Sequence, residues 1–368
     1  MNFSCEKNTL AEAVGIVQKA VSTKSNVPVL EGILIEAAGE SIKLSSNDLE
    51  LAIENEIEAN VSVEGSIVIN SKMFGDIIRK LDGDIVYVIT DNEYNIQIKC
   101  GKSEFELTGI PGSEFPEIKA IEKDSELRVN DRILKNMIKQ TVFAAGTDEN
   151  RIVFTGSLFE KKGDTLYIVS VDGFKLALRK EKVDGNNEDL ICIIPAKALN
   201  EIMKIIREEG KDINISVGEN KVMFEMEYGR VISRLIDGEF INYNQIIPED
   251  NTTTAKIDTH RLCDSVERAA LIVENESTKF PVKLNVNVDK IDISCISKSG
   301  KFYDSIDAMT SGDELEIGFN CKHLSDVLRN CEDDTVILEF STSQRACVIR
   351  PMEGGRFLFL VMPVRLKN

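Results

Sequence analysis

Lys72-Met73-Phe74-Gly75-Asp76-Ile77-Ile78-Arg79 is the first of three copies of one short pattern. The others are Lys197-Ala198-Leu199-Asn200-Glu201-Ile202-Met203-Lys204 and Lys322-His323-Leu324-Ser325-Asp326-Val327-Leu328-Arg329. Their starting positions, 72, 197 and 322, make a constant step of 125 residues. In each copy a Lys is followed at +2 by Phe or Leu, at +4 by an acid, at +5 and +6 by apolar residues, and at +7 by a base. Copies on one ruler mean three successive modules of similar length.

The spacing predicts what each copy is. Residues i and i+7 lie about two helical turns apart on one face, so Lys72 stacks over Arg79, Lys197 over Lys204 and Lys322 over Arg329. At about 100° per residue, Phe74, Ile77, Ile78 and Leu81 fall on the opposite side. Each stretch therefore reads as an amphipathic helix with a buried apolar stripe and a basic ridge. The acid at +4 tempers the ridge, because it can pair with the base three residues on.

Working outward, each module opens with another helix. Leu10, Val14, Val17 and Val21 recur at helical spacing, as do Leu134, Ile138 and Val142, then Leu262, Val266 and Ala270. The first two modules align without gaps from there, Leu10 with Leu134 and Glu36 with Glu160, both 124 residues apart. Alternating segments follow and read as half-buried strands: Ile33-Leu34-Ile35, Leu166 to Val169, and Val282 through Val288. The Lys helix comes next, then strands around Val86 and Val88, Ile213 and Ile215, and Val336 and Leu338. The expected fold is α+β, with three tandem modules of two helices packed on antiparallel sheets. The breaks at Pro116–Ser125 and Pro248–Thr254 set the modules at residues 1–120, 121–250 and 251–368.

The chain has 368 residues, eight Cys and a net charge of −18. With 42% hydrophobic residues it can build substantial cores. Its apolar runs stay short of the roughly 18 residues that a membrane-spanning helix needs. The N-terminal Met-Asn-Phe-Ser-Cys-Glu-Lys has no basic segment leading into an apolar one, so no secretory signal is expected. The Cys form no C-x-x-C pair, and reduced, mostly buried thiols in a cytoplasmic protein are the simplest account. The acidic average argues against nucleic acid, whose binding rests on neutralising phosphates. The repeated helices depart from that average. Residues 71–81 carry Lys72, Arg79 and Lys80 against Asp76, and residues 196–207 carry Lys197, Lys204 and Arg207 against Glu201, each +2. An acidic body with basic helices has a polarised field that repels DNA everywhere except the basic surface.

No catalytic pattern is complete. Gly101-Lys102-Ser103 ends like a phosphate loop, but Ile96 stands where the leading Gly is required. Asp184-Gly185-Asn186-Asn187-Glu188-Asp189 is acidic like a calcium loop, yet its sixth position is Asp rather than Gly. The only histidines are His260 and His323, and no H-E-x-x-H or G-x-S-x-G is present. A 41 kDa chain without a catalytic constellation reads as a binding protein rather than an enzyme.

The three-module ruler, the segment Asp172-Gly173-Phe174-Lys175-Leu176-Ala177 and the ending Val361-Met362-Pro363-Val364-Arg365-Leu366 closely resemble the bacterial DNA polymerase III beta subunit family, the sliding clamps. The resemblance covers the whole chain. It implies a DNA replication processivity factor, without catalytic residues, cofactor or metal. Two subunits would join head to tail as a homodimeric ring of six modules that encircles duplex DNA without reading its sequence. Family inner-surface positions fall on Lys24, Lys72, Arg79, Lys197 and Lys204, and helical periodicity adds Lys135, Lys139, Lys322 and Arg329. The resemblance also implies a cleft between modules 2 and 3 for peptides of the replicative polymerase, the clamp loader and other proteins bearing the clamp-binding motif. Matching positions are Phe154, Val171, Gly173, Phe174, Lys175, Leu176, Ile241, Ile246, Asn320, His323, Met362, Pro363, Val364 and Arg365. Where the family often has His-Arg, Pro and Arg, this chain has Phe174-Lys175, Ile241 and Gln245, so its cleft is expected to be more apolar and less basic. Lys367 and Asn368 extend past the usual ending. For the ring joint, Phe105 and Leu107 would meet Leu271 and Ile272 of the second subunit. Two other classes stay open: a hydrolase or transferase with a site assembled from scattered residues, and a monomeric interaction scaffold.

Overall fold

A computed structural model describes residues 1–22, 25–119, 121–122, 124–185, 189–273 and 280–366. Lys24, Lys367, Asn368 and the centre of the acidic 184–189 stretch lie outside the described residues. Among the described residues there are six α-helices: α1 (Lys7–Val17), α2 (Ser71–Lys80), α3 (Asp131–Val142), α4 (Ala196–Ile205), α5 (Thr259–Val273) and α6 (Cys321–Arg329). They open the modules (α1, α3, α5) or carry the repeated Lys pattern (α2, α4, α6). Antiparallel strands make up the rest of the α+β architecture.

Local chemistry explains the helix limits. The Asn70 side chain accepts the Met73 N–H at 3.0 Å, and the Asn320 side chain accepts the Lys322 N–H at 3.0 Å, so α2 and α6 start at capped turns. Arg79 and Lys80 sit in the last turn of α2, where they oppose the helix dipole, and the chain turns extended at Leu81. The apolar stripes are buried as their spacing predicts: Phe74 and Ile78 on α2, Leu199 and Ile202 on α4, and Leu324 and Leu328 on α6 are each at most 1% exposed. The alternation from Val282 stops at Val286, where the strand ends, and Val288 is 67% exposed in the following turn.

Strand pairing crosses the module limits read from sequence. The chain divides into two compact units, residues 1–131 with 204–235, and residues 132–203 with 236–368. In the first unit, Leu51–Glu58 pairs with Gly229–Arg234, which brings strands of the first two modules into one sheet. That unit also holds a five-stranded sheet whose last strand is Ser103–Thr108. The second unit carries a continuous run of twelve strands, in which Lys175–Lys182 pairs with Phe357–Val361. Within it the strand Lys301–Ser311 changes partners. Its first seven residues pair with Lys290–Ile296, and Ala308 to Ser311 pair with Thr253–Asp258. The core of this unit packs α5 and α6 against Phe357 and Phe359, whose rings stack at 4.8 Å. No helix is long and apolar enough to cross a membrane among the described residues.

Candidate functional site

The second unit contains a cleft of about 960 Å³ walled by the start of α6, the end of α5, the turn Asp172–Lys175 and the stretch after α3. The Asp172 carboxylate shapes the turn by accepting the N–H groups of Phe174 (2.8 Å) and Lys175 (2.9 Å). Gly173 supplies the left-handed step, with φ +92°. The Phe174 ring is thereby held out, 56% exposed, and lies flat against the His323 ring at 5.2 Å. The Phe174 carbonyl accepts the Met362 N–H at 2.8 Å, and the Val364 N–H donates to the Gly318 carbonyl at 2.8 Å. The C-terminal segment is thus pinned beside the turn, with Met362 and Val364 part-exposed, Pro363 half-buried and Arg365 exposed.

A second, apolar part is built from strands and a single-turn helix. Phe154, Val171, Leu176 and Ile241 share one cluster with Tyr243, Val348 and Leu360. Phe154 meets Phe240 edge to face at 6.3 Å, and the Arg151 guanidinium sits 5.4 Å from the Phe154 ring centre. Ile246, 40% exposed, closes the turn Tyr243–Ile246. Beneath the cluster Tyr243 donates to the Glu160 carboxylate at 2.6 Å, and burial together with that bond pushes the phenol pKa up.

Two of the predicted cleft residues have further duties. Lys175 is 7% exposed, and its Nζ stands 3.2 Å from both Asp172 Oδ2 and Asp326 Oδ2, so it is a buried structural cation rather than a charge offered at the rim. Asn320 lines the cleft and at the same time spends its side-chain oxygen on capping α6. Arg151, Phe240 and Tyr243 were missed. The aromatic run Phe240-Ile241-Asn242-Tyr243 was the available signal, and Arg151 carried none.

The basic residues lie on the outward sides of their helices. Lys72, Arg79, Lys139, Lys197, Lys204, Lys322 and Arg329 are exposed and Lys135 is half-buried. Arg79 pairs with Asp76 at 2.8 Å, as the acid three residues before it allows. Arg329 instead binds Glu267 of α5 at 2.6 Å, and Lys139 reaches Glu332 at 3.5 Å. The Arg329 hydrogen bond and charge hold the Glu267 carboxyl below its usual range. These pairs offset part of the ridge charge, while no ion pair holds Lys72 or Lys322 among the described residues. Of the residues assigned to the joint, Phe105 is 38% and Leu271 69% exposed, and Leu107 and Ile272 are half-buried.

The described residues thus combine basic outward sides on α2, α4 and α6 with an apolar groove beside Phe174 and Met362. Three family profiles match in order: the N-terminal domain of the DNA polymerase III beta subunit over residues 1–119, its central domain over 128–242 and its C-terminal domain over 244–365. The chain is 32% identical to the beta sliding clamp of Bacillus subtilis, over 99% of this chain and 100% of that one. It is 30% identical to the beta sliding clamp of Staphylococcus aureus, over 99% of each. Among solved structures, the Bacillus subtilis sliding clamp superposes with a TM-score of 0.96 at 31% identity, and a DNA polymerase III beta subunit of Eubacterium rectale with 0.94 at 33%, each covering 100% of both chains. The chain belongs to the DNA polymerase III beta subunit family, the sliding clamps.

Proposed function

We propose that this chain is the non-enzymatic processivity factor of DNA replication, acting in the cytoplasm as a homodimeric ring around duplex DNA. Its modules are set at 1–120, 121–250 and 251–368. What carries the reading is the recurrence of outward-facing Lys72, Lys197 and Lys322 at one register of α2, α4 and α6, on a chain whose net charge is −18. Such cations position phosphates without reading bases, so the ring translates along the duplex while encirclement keeps it there.

Two open strand edges support a head-to-tail joint. Ser103–Thr108 ends its sheet, and no strand among the described residues pairs with the second edge of Lys301 to Asp307. Unpaired edges of this kind accept a strand from another copy. Beside the first edge, Met73, Ile77 and Phe105 wall a hollow of about 430 Å³. Leu271 of the second copy is the apolar side chain proposed to fill it. The contact is heterologous, so the ring closes only if two such rotations complete a circle.

The cleft around Phe174, Met362 and the Leu176 cluster is assigned to short peptides with Leu and Phe anchors, borne by the replicative polymerase, the clamp loader and other partners. Apolar walls with few polar rims suit such anchors, and Met362 adapts to several ligands. Sedimentation tests the assembly. The native protein is expected at twice the 41.0 kDa of one chain, and Leu271→Ala with Ile272→Ala at that of one chain, because apolar burial is lost from the joint. A double variant that stays dimeric at nanomolar concentration would move the joint elsewhere.

A further inference from the structure

In α2 and α6 the base that ends the repeated pattern sits differently from the Lys that opens it. Lys72 and Lys322 have no ion pair among the described residues, whereas Arg79 and Arg329, seven positions on, are both paired. In α2 the acid is local: Asp76 meets Arg79 at 2.8 Å from one turn earlier. In α6 the acid at the same place, Asp326, is spent on Lys175 at 3.2 Å. Arg329 is nonetheless held, at 2.6 Å, by Glu267 of α5. A base deprived of its own acid thus takes one from a neighbouring helix. Lys139 of α3 repeats the device, reaching Glu332 just past the end of α6 at 3.5 Å.

Stability does not account for these pairs. Their side chains are 34% to 59% exposed, and ion pairs in that setting add little to a fold because water and salt screen them. What they change is the charge offered to solvent. A carboxylate in contact with a base cancels most of the field that the base presents one Debye length away, about 8 Å at physiological salt. A phosphate can still capture the base, but only by displacing the carboxylate. Glu267 is well placed to compete: one of its oxygens accepts Arg329 Nε at 2.6 Å and the Cys263 thiol at 3.6 Å. The Arg329 bond holds that carboxyl below its usual range, so it stays ionised at neutral pH.

We propose that Asp76, Glu267 and Glu332 are affinity-lowering residues of the DNA-facing surface, each competing with phosphate for one base. Arg79, Lys139 and Arg329 then exchange between carboxylate and DNA backbone, while Lys72 and Lys322 keep the outward charge. Each exchanging base leaves one phosphate for its own acid before taking the next, which keeps every contact short-lived and suits a surface that positions DNA without reading it. The inference rests on the proposed contact of these helix faces with duplex DNA.

The test follows binding of the full chain to a short fluorescent duplex by anisotropy over a salt series, which gives the affinity and the slope of log K against log salt. Each base freed for a phosphate steepens that slope by about 0.9. Glu267→Gln with Glu332→Gln is expected to tighten binding about tenfold at about 50 mM salt and to steepen the slope by about one or more. Asp76→Asn, whose pair lies within one helix, is expected to tighten it about threefold and covers the case in which the double variant fails to fold. Asp164→Asn with Glu316→Gln removes equal charge from the pairs with Lys182 and Lys283, on strands and their turns. That control is expected to stay within about twofold, with an unchanged slope. Lys72→Gln with Lys322→Gln separates this proposal from the reading beneath it, and is expected to weaken binding about tenfold and flatten the slope. No weakening there would remove the basic faces from DNA, and this proposal with them. Weakening there, with acid variants that bind no tighter and no more steeply than the control pair, would overturn the proposal alone.

Discussion

At Phe174 a glycine with positive φ and an aspartate-capped turn hold one aromatic ring in the open, flat on His323. Removing the ring strips a wall from the cleft without disturbing the core. Phe174→Ala is therefore expected to weaken a polymerase-derived peptide with Leu and Phe anchors by about tenfold, at little cost in stability. Titration by fluorescence anisotropy measures it, and unchanged affinity would place the peptide elsewhere. Deleting the segment from Met362 onward is a blunter probe, since it also removes the hydrogen bonds to Phe174 and Gly318. The thiols offer a second test at this scale. Seven of the eight cysteines are buried, and half-buried Cys263 has its pKa pushed up to about 11, by burial first and Glu267 second. Alkylation by iodoacetamide is expected to modify Cys263 alone in the native protein. Its rate should still climb from pH 8 to pH 10, because the thiolate is scarce below the raised pKa. A rate that levels off near pH 9 would contradict this environment. Glu267→Gln is expected to lower that pKa and speed the reaction at pH 8.

The helices were legible because their information is local. A Lys or Arg every seven residues, with Phe74 and Ile78 or Leu324 and Leu328 between, fixes which side faces inward whatever the helix packs on. What sequence left out is non-local. Nothing in Leu51–Glu58 announces Gly229–Arg234 as its partner, and nothing in Lys301–Ser311 marks where it changes neighbours, because register depends on strands distant in the chain. The ion pairs that bury Lys175 were not legible for the same reason, since one of its two acids, Asp326, lies 151 residues away. The shared cap of α2 and α6 stood in plain view at Asn70 and Asn320. Its loss is expected to cost about 1 kcal/mol and to lower Tm by about 2–4 °C in Asn70→Ala and in Asn320→Ala. Calorimetry on both, with Asn320→Asp restoring the loss, separates capping from any part Asn320 takes in ligand binding. An unshifted Tm in both variants would show that the caps contribute nothing.

For the whole molecule, composition and distribution of charge point in opposite directions, and the function proposed here follows the distribution. A net charge of −18 cannot hold DNA by affinity, yet it coexists with basic helix faces repeated at one register. The proposed closed ring would reconcile the two: weak phosphate contacts suffice when the duplex has no end to escape from. The direct measurement is retention on DNA at about 0.5 M salt, where phosphate contacts are largely lost. Protein assembled on closed circular duplex is expected to co-elute with it through gel filtration and to leave once the circle is cut at one site. Equal loss from the intact and the cut circle would contradict encirclement.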